Sequence, residues 1–264
     1  MVRTLVISAL ALAVASCATS PTGRKQLNIM SDAQMQEMGV AAYADLKKKT
    51  PISQDPKTNE YVRCIANAIT TAIEGEYAGG QWEVNVFKDD TANAFALPGG
   101  KIGVHTGIMK VAVNQDQLAT VMGHEVAHVL AKHGAERMSQ ATLTQTGLDV
   151  VRVLAGEPTP AKNGVMAALG LGAQYGVLMP FGRTQESESD LLGLDLMAKA
   201  GFDPRESVKL WVNMGKAGGG QPPEWMSTHP SHNTRIADLE NRMPSAMSLY
   251  QQAQAKGRKP QCQR

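Results

Sequence analysis

The sequence predicts an α+β protein that is mainly helical, with a small antiparallel sheet beside one histidine-bearing helix. Apolar residues recur at helical spacing through most of the chain, which indicates amphipathic helices. The alternation of apolar and polar residues that is typical of strands appears only around residues 82–87 and 93–107. The chain has 264 residues, 43% of them hydrophobic and 19% charged, so it is long enough to bury a sizeable core.

Capping residues mark the start of two helices. Ser31 is followed three positions later by Gln34, which predicts a capping box. Asn114 and Gln117 have the same spacing, and this cap opens the histidine-bearing helix. Another helix is expected from about residue 56 to residue 73. The predicted strands are WEVNVF (82–87) and two short strands around the Pro-Gly-Gly turn of NAFALPGGKIGVHTG (93–107).

The second half of the chain is also predicted to be helical. Residues 139–182 are rich in Ala, Gly, Leu and Met and break at 156–164, which predicts two helices and a loop. A transmembrane hairpin is the competing interpretation, but neither half offers a clean apolar run of about 20 residues. Further helices are expected at Ser187–Ala200, ended by Gly201, at about Pro204–Met214, and at Ser231–Arg242.

The N-terminus has the layout of a secretory signal, with Arg3 ahead of an apolar run that is too short to span a bilayer. Residues 1–16 are therefore predicted to be a signal peptide. The end of the run, VASC, resembles the bacterial lipobox, which makes Cys17 the predicted lipidation site and residues 17–30 a lipidated tether. The alternative is an ordinary signal peptide with a chance cysteine.

A single domain is expected from residue 31 to residue 243, followed by a polar, mobile C-terminal tail at 244–264. Cys64 and Cys262 would enter a disulfide-permissive compartment in an exported protein. A bond between them would pin the tail to an early helix, but their distance does not follow from the sequence, so paired and free cysteines remain equal alternatives.

Binding to nucleic acid is not expected. The formal net charge is only +2, and aromatic residues make up 5% of the chain, so a basic footprint and stacking platforms are both missing from the composition.

The segment HEVAH places His124 and His128 one helical turn apart on one face, where two imidazoles can bind one Zn²⁺. Glu125 stands beside them, near enough to take a proton from water at the metal. The alternative is a buried helix with incidental histidines. His133 does not have the spacing of a third ligand and is expected to be a surface histidine near the helix end.

A catalytic zinc needs a third protein ligand, and the segment RTQESESD offers one. Glu186 and Asp190 are four residues apart and share a helix face, which favours Glu186 as the ligand and Asp190 as the carboxylate that orients a ligand histidine. Glu188, Asp195 and Lys199 have the spacing of a solvated stripe. The alternative leaves all four carboxylates as surface charges.

These two motifs together resemble the zinc endopeptidases of the HtpX, CAAX prenyl protease and BepA/LoiP-like lipoprotein family. In that family the second motif runs Glu-x-x-Ala-Asp, and Glu186, Ser189 and Asp190 occupy its fixed positions. The segments at 22–31, 93–107 and 227–236 also resemble family segments. The resemblance implies a zincin-like metalloprotease domain that binds one Zn²⁺ per chain through His124, His128 and Glu186.

The remaining site residues are expectations about substrate and transition state. Glu125 is the expected general base. His229 either reaches the open zinc position and holds the enzyme inactive or donates to the oxyanion, with a structural loop histidine as the alternative. Arg235 either shares that role or pairs with a carboxylate. A peptide is expected to align on the strand formed by Asn93, Ala94, Phe95 and Ala96. His105 and His232 are expected to be structural or exposed.

The function implied by the resemblance is a zinc-dependent endopeptidase of the cell envelope that cleaves misfolded or unassembled outer-membrane and periplasmic proteins. Ala18 and Thr19 after Cys17 resemble the outer-membrane sorting pattern, so the expected location is the bacterial outer membrane, lipid-anchored and facing the periplasm. The outer-membrane assembly machinery is a candidate partner. The alternative is a non-catalytic chaperone or assembly lipoprotein that uses the same groove.

Overall fold

The computed structural model describes residues 17–154, 182–217 and 234–264, together with Met226 and His229. The predicted signal peptide, the loop at 156–164 and His232 lie outside these residues. The helices, in chain order, are α1 (Asp32–Lys49), α2 (Pro56–Thr71), α3 (Gln115–Leu130), α4 (His133–Leu154), α5 (Arg183–Ala200), α6 (Glu206–Ala217) and α7 (Arg235–Ala255). The strands are β1 (Cys17–Thr19), β2 (Lys25–Leu27), β3 (Glu83–Phe87), β4 (Ala94–Leu97) and β5 (Lys101–His105).

Both predicted helix caps are confirmed, whereas the helices expected from Ser187, Pro204 and Ser231 begin at Arg183, Glu206 and Arg235. The Ser31 side chain accepts from the Gln34 N–H and the Gln34 side chain accepts from the Ser31 N–H, which completes the capping box of α1. The Asn114 side chain accepts from the Gln117 N–H and caps α3. Gly201 ends α5 in the left-handed conformation, with φ of 95°, which glycine adopts without steric cost.

The mainly helical α+β fold is confirmed, and its central sheet is mixed. The strand order is β3-β5-β4, in which β4 and β5 form the predicted antiparallel pair while β3 runs parallel to β5. The expectation of a purely antiparallel sheet is therefore corrected. The chain leaves β3, crosses to the far edge to form β4, and returns through the Pro-Gly-Gly turn into the middle of the sheet.

The N-terminal segment is not the free tether that its polar composition predicts. β1 and β2 form an antiparallel hairpin, and the Gln26 side chain donates to the Ala131 carbonyl at 2.6 Å. Arg24, between the two strands, makes a bidentate ion pair with Glu136 on α4. The polar side chains of the segment bind polar groups of the domain, and this pairing holds the hairpin against it.

The core forms where α3 passes between the sheet and α5. Most of α3 is buried, and its closest helical neighbour is α5. A side chain at Gly123 would lie 2.8 Å from the Gly193 carbonyl oxygen, and a side chain at Gly193 would lie 2.7 Å from the His124 nitrogen. The two backbones can approach this closely only because both positions are glycine.

The C-terminal region differs from the prediction. The helix expected to end at Arg242 continues through Pro244 to Ala255, because Ala246 and Ala253 extend its buried face. Cys64 on α2 and Cys262 form a disulfide with a Cα–Cα distance of 5.7 Å, which resolves the two alternatives for these cysteines. The mobile tail expected at 244–264 is therefore replaced by an ordered helix and a covalently attached terminus.

The predicted helix after residue 139 is confirmed as far as Leu154, the end of α4. The second helix predicted in this segment, up to residue 182, lies outside the described residues. Among the residues that are described, no helix combines the length and the apolar composition that crossing a membrane requires.

We predict that the Cys64–Cys262 disulfide contributes substantially to stability, because its cysteines are 198 positions apart and it restricts most of the unfolded chain. The Cys64→Ser/Cys262→Ser double variant should lose roughly 2–4 kcal/mol of unfolding free energy. Calorimetry should show a melting temperature lower by roughly 5–15 °C. Reductant should lower the melting temperature of the wild type and leave that of the double variant unchanged; equal melting temperatures in the untreated proteins would contradict the prediction.

Candidate metal centre

The two histidines of HEVAH lie on α3 with their rings turned to a common point. His124 and His128 are 2% and 3% exposed, and their Nε2 atoms are 3.0 Å apart. The helical spacing places them on one face of α3, as the sequence predicts. On that face both histidines contact Glu186 of α5.

Glu186 enters the same point from the first turn of α5. Its side chain is fully buried, with Oε1 3.4 Å from His128 Nε2 and Oε2 3.6 Å from His124 Nε2. Burial opposes ionisation of Glu186, but contacts with His128 and His229 outweigh it and hold the pKa of this carboxyl well below its usual range. Burial also lowers the pKa of His128 well below its usual value, so the site combines a carboxylate with a neutral imidazole.

His229 brings a fourth donor to this point. Its Nδ1 lies 3.2 Å from His124 Nε2 and 3.0 Å from Glu186 Oε1. One ligand atom from each of His124, His128, Glu186 and His229 lies within 4.8 Å of the others.

These separations fit a metal ion. Two ligand atoms that each lie about 2.0–2.1 Å from one tetrahedral ion are about 3.3 Å from each other. The five donor separations given above run from 3.0 to 3.6 Å. Imidazole nitrogen and carboxylate oxygen are the donors that Zn²⁺ accepts, so the residues present fit one zinc ion.

Asp190 and Arg235 contact His124 at Nδ1, the ring nitrogen that faces away from the other metal donors. Asp190 Oδ1 accepts from His124 Nδ1 at 2.9 Å, which leaves the Nε2 lone pair directed at the centre. Arg235 donates to both Asp190 oxygens, at 2.7 and 2.5 Å, and its Nη1 lies 2.8 Å from Glu186 Oε2. Burial would raise the pKa of Asp190, but Arg235 and His124 hold this pKa below its usual value. Of the two roles considered for Arg235, the geometry favours the carboxylate pair.

His133 is not the surface histidine that its spacing predicts. Its side chain is fully buried, and its Nδ1 lies 3.0 Å from His128 Nδ1. The reason is a sharp turn after Leu130, in which Lys132 adopts a φ of 54° and returns the chain beneath α3. His133 therefore opens α4 instead of closing α3.

Glu188 is not part of a solvated stripe. It is 5% exposed and contacts His133 Nε2 at 3.1 Å and Arg24 Nε at 2.8 Å. Asp195 and Lys199 do lie toward the surface, where they pair with Arg242 and Glu74. The spacing argument fails for Glu188 because its partners come from the N-terminal hairpin and from α4, which no local pattern on α5 reveals.

A cavity of about 360 Å³ runs beside the centre. Glu125, which is 3% exposed, lines it, and its Oε1 lies 3.4 Å from His229 Nε2. The four residues predicted to bind substrate also line it: Asn93, Ala94, Phe95 and Ala96. Within the described residues β4 pairs only with β5, so its other edge faces this cavity.

Arg137 and His105 lie near the site and have different surroundings. Arg137 lines the cavity, and burial lowers its pKa to about 10 although Glu186 and Glu125 act in the opposite direction. No pattern in the sequence points to this residue. His105 lies outside the cavity wall and contacts Thr91 Oγ1 at 2.8 Å, in keeping with a structural role. The lipidation of Cys17 stays a prediction.

Comparison with known proteins places the chain among metallopeptidases. Residues 56–243 match the model of Peptidase family M48. The chain is 36% identical over 184 residues to the mitochondrial metalloendopeptidase OMA1 of Saccharomyces cerevisiae, which covers 66% of this chain and 51% of that protein. It is 27% identical over 219 residues to the beta-barrel assembly-enhancing protease of Escherichia coli, covering 81% of this chain and 44% of that protein. The chain thus spans about half the length of the curated relatives it matches.

We predict that the glycine contact between α3 and α5 sets the geometry of the centre. In Gly193→Ala the new methyl group would lie 2.7 Å from the His124 nitrogen, so the helices must separate. The variant should lose about 1–3 kcal/mol of stability and bind zinc more weakly. Denaturant unfolding and zinc titration against a competing chelator measure the two effects.

Gly215→Ala on α6 is the matched control, because nothing lies within 4 Å of its new methyl group. If Gly193→Ala unfolds and binds zinc like this control, the close contact does not set the geometry.

Proposed function

The chain belongs to peptidase family M48, and on that premise we propose that it is a zinc-dependent endopeptidase. The single observation that carries the proposal is the convergence of His124, His128 and Glu186 beside Glu125 in one cavity. A binding module has no need for a carboxylate next to three metal donors, whereas hydrolysis needs one.

The metal ion and the side chains would have different roles in the proposed reaction. Zinc, when bound, polarises a scissile carbonyl and makes water more acidic. His124, His128 and Glu186 hold the ion. Glu125 takes a proton from the attacking water and delivers it to the nitrogen of the leaving amine, which preserves the charge of the site over one turnover. Asp190 keeps the His124 ring in the orientation that binding needs.

The free edge of β4 is the proposed substrate site. An extended peptide can add to this edge as a further strand, so that its backbone pairs with residues 93–97 while the cavity receives its side chains. Pairing of this kind depends on an extended backbone and tolerates many sequences. It therefore suits unfolded chains, because a folded protein presents few unpaired strands.

His229 has contacts that favour a blocking role. Its Nδ1 stands at tetrahedral spacing from His124 Nε2 and Glu186 Oε1, where a fourth ligand would lie. Its Nε2 is at the same time 3.4 Å from the Glu125 carboxylate. In this position the ring displaces both water and substrate carbonyl, so His229 must move before cleavage. The other role considered, donation to an oxyanion, requires that movement as well.

The proposed setting is the periplasmic face of a bacterial outer membrane, with Cys17 as the lipid anchor. The lipobox-like VASC segment supports export and anchoring, and the Cys64–Cys262 disulfide supports an oxidising compartment. One group of relatives bears the name beta-barrel assembly-enhancing protease. We therefore propose misfolded or unassembled envelope proteins as substrates and the outer-membrane assembly machinery as a partner. The OMA1 relatives are mitochondrial, so the family itself does not fix the compartment.

The second candidate is a non-catalytic chaperone or assembly lipoprotein that holds unfolded chains against β4. The apolar part of the groove favours it, since Met35, Trp82 and Met138 line the cavity. The presence of Glu125 with every metal donor argues for turnover. Cleavage, and not zinc content, separates the two candidates, because both proteins would bind zinc.

We predict that Glu125→Gln retains zinc and loses cleavage. With unfolded casein as substrate, the rate should fall by about 10²–10⁴-fold, because the amide cannot accept the proton. Zinc content by elemental analysis should match the wild type. Glu186→Ala is the matched comparison and should lose zinc and cleavage together; loss of zinc from Glu125→Gln would mean that Glu125 is itself a ligand.

We predict that His229→Ala accelerates the cleavage of casein and weakens zinc binding, because the ring no longer occupies the fourth donor position. Initial rates at full zinc occupancy measure the first effect and chelator competition the second. His105→Ala, outside the cavity wall, is the control. A slower reaction at full zinc occupancy would instead assign His229 to the oxyanion. No cleavage by either protein with zinc bound would favour the binding lipoprotein.

A further inference from the structure

The ring of His128 is held from behind by a second histidine. His128 Nε2 faces the metal donors, and His128 Nδ1 faces His133 Nδ1 at 3.0 Å. Both rings are buried, so no bulk water satisfies these nitrogens. One of the two Nδ1 atoms must donate and the other accept, and the direction decides which nitrogen of His128 keeps a lone pair.

Glu188 sets the direction. Its Oε2 lies 3.1 Å from His133 Nε2, and a carboxylate can only accept, so the proton of His133 sits on Nε2. His133 Nδ1 is then an acceptor. Ser189 Oγ, 3.2 Å from the same Nδ1, can donate to it as well. The proton of His128 must therefore sit on Nδ1, and its Nε2 lone pair points at the metal position.

Glu188 is in turn fixed by the N-terminal hairpin. Arg24 Nε donates to Glu188 Oε2 at 2.8 Å, and Thr22 Oγ1 donates to Glu188 Oε1 at 2.5 Å. The same guanidinium binds both oxygens of Glu136 at 2.6 and 2.7 Å. The carboxylate of Glu188 thus has a charged partner that keeps it ionised and in place.

We infer that Arg24, Glu188 and His133 form a hydrogen-bonded relay that fixes the tautomer of His128, which makes the N-terminal hairpin a positioning element of the metal centre. The inference rests on the proposed function, since it assumes that His128 is a zinc ligand. None of the three residues is among the four metal donors or the residues that line the cavity.

The relay does for His128 what Asp190 does for His124. In both cases a carboxylate at the far end places the proton on Nδ1, and both Nε2 lone pairs converge 3.0 Å apart. Without this control, a proton on either Nε2 would form a hydrogen bond between the two histidines and close the metal position. The difference is that the carboxylate for His128 acts through one more ring and is held by a segment of the chain more than a hundred residues away.

The test uses side chains that replace one ring nitrogen at a time. In His133→Asn the amide oxygen can occupy the place of Nδ1 and accept from His128, whereas His133→Gln places its amide near Nε2. Zinc affinity of the purified full chain is measured by competition with a chromophoric chelator. We expect His133→Gln to bind zinc about 10–100-fold more weakly than the wild type and His133→Asn to recover most of the loss.

Arg24→Gln and Lys25→Gln form a second matched pair within the hairpin. The Lys25 side chain donates to Thr19 Oγ1 on the neighbouring strand, and Arg24 contacts only the backbone carbonyl of Lys25, so replacing the Lys25 side chain leaves the relay intact. We expect Arg24→Gln to weaken zinc binding and Lys25→Gln to leave it unchanged. Melting temperatures of the metal-free proteins identify any variant that fails to fold.

The tautomer itself is the decisive readout, because a merely structural role would not alter it. Heteronuclear NMR of the ring nitrogens in the metal-free protein should show His128 protonated on Nδ1 in the wild type and in His133→Asn. His133→Gln should show a mixture of tautomers. The same tautomer and the same zinc affinity in all folded variants would overturn the relay. A wild-type protein that binds no zinc would instead overturn the proposed function.

Discussion

The contact between α3 and α5 is the constraint on which the metal centre depends. At Gly123 and Gly193 the two backbones meet with no side chain between them. Glu186, Asp190 and Gly193 recur at positions that share one face of α5, so the face that makes the contact also carries the carboxylates. The histidines of α3 and the carboxylates of α5 reach each other because the helices are this close, and longer side chains would be needed across a wider gap.

The charges buried at this contact explain why α7 belongs to the site. Glu186 and Asp190 bring two carboxylates into the protein interior, which is unfavourable unless cations accompany them. Arg235 from the first turn of α7 contacts both, and its guanidinium stacks 3.7 Å from the ring centroid of Trp211. The ion pairs of Arg235 with Glu186 and Asp190 thereby attach α7 to α5. The other Glu186 oxygen, Oε1, is turned toward the histidines and contacts His229 Nδ1 at 3.0 Å.

The parts of this site that the sequence predicts are those with a local pattern. His124, Glu125 and His128 lie on one helix, and their spacing determines that they share a face. Glu186 and Asp190 follow the same rule on a second helix. The resemblance of the two motifs to one family predicts that both helices contribute ligands to the same metal ion.

The parts that the sequence misses depend on contacts between distant segments. Glu188 has the spacing of a surface residue, and only the folded chain brings Arg24 to it, 164 positions away. The sequence predicts the wrong environment for His133, because the pattern continues the HEVAH helix to this residue. In the structure Lys132 adopts a left-handed conformation and reverses the chain before it. The continuation of the C-terminal helix beyond Arg242 is missed because its buried positions there are the alanines Ala246 and Ala253, which stand in a polar segment.

The disulfide determines what a single break in the polypeptide chain would do to the metal centre. Cys64 and Cys262 close a covalent ring that contains the histidines of α3, Glu186 and Asp190 of α5, and the whole of α7. A single cut in any peptide bond of that ring leaves two pieces joined through sulfur. Such a nicked molecule gains one water and loses no residue, and every donor of the centre stays tethered to the others. The chain is thus protected against dissociation by one cleavage event, and two cuts are needed before any part of the ring is released.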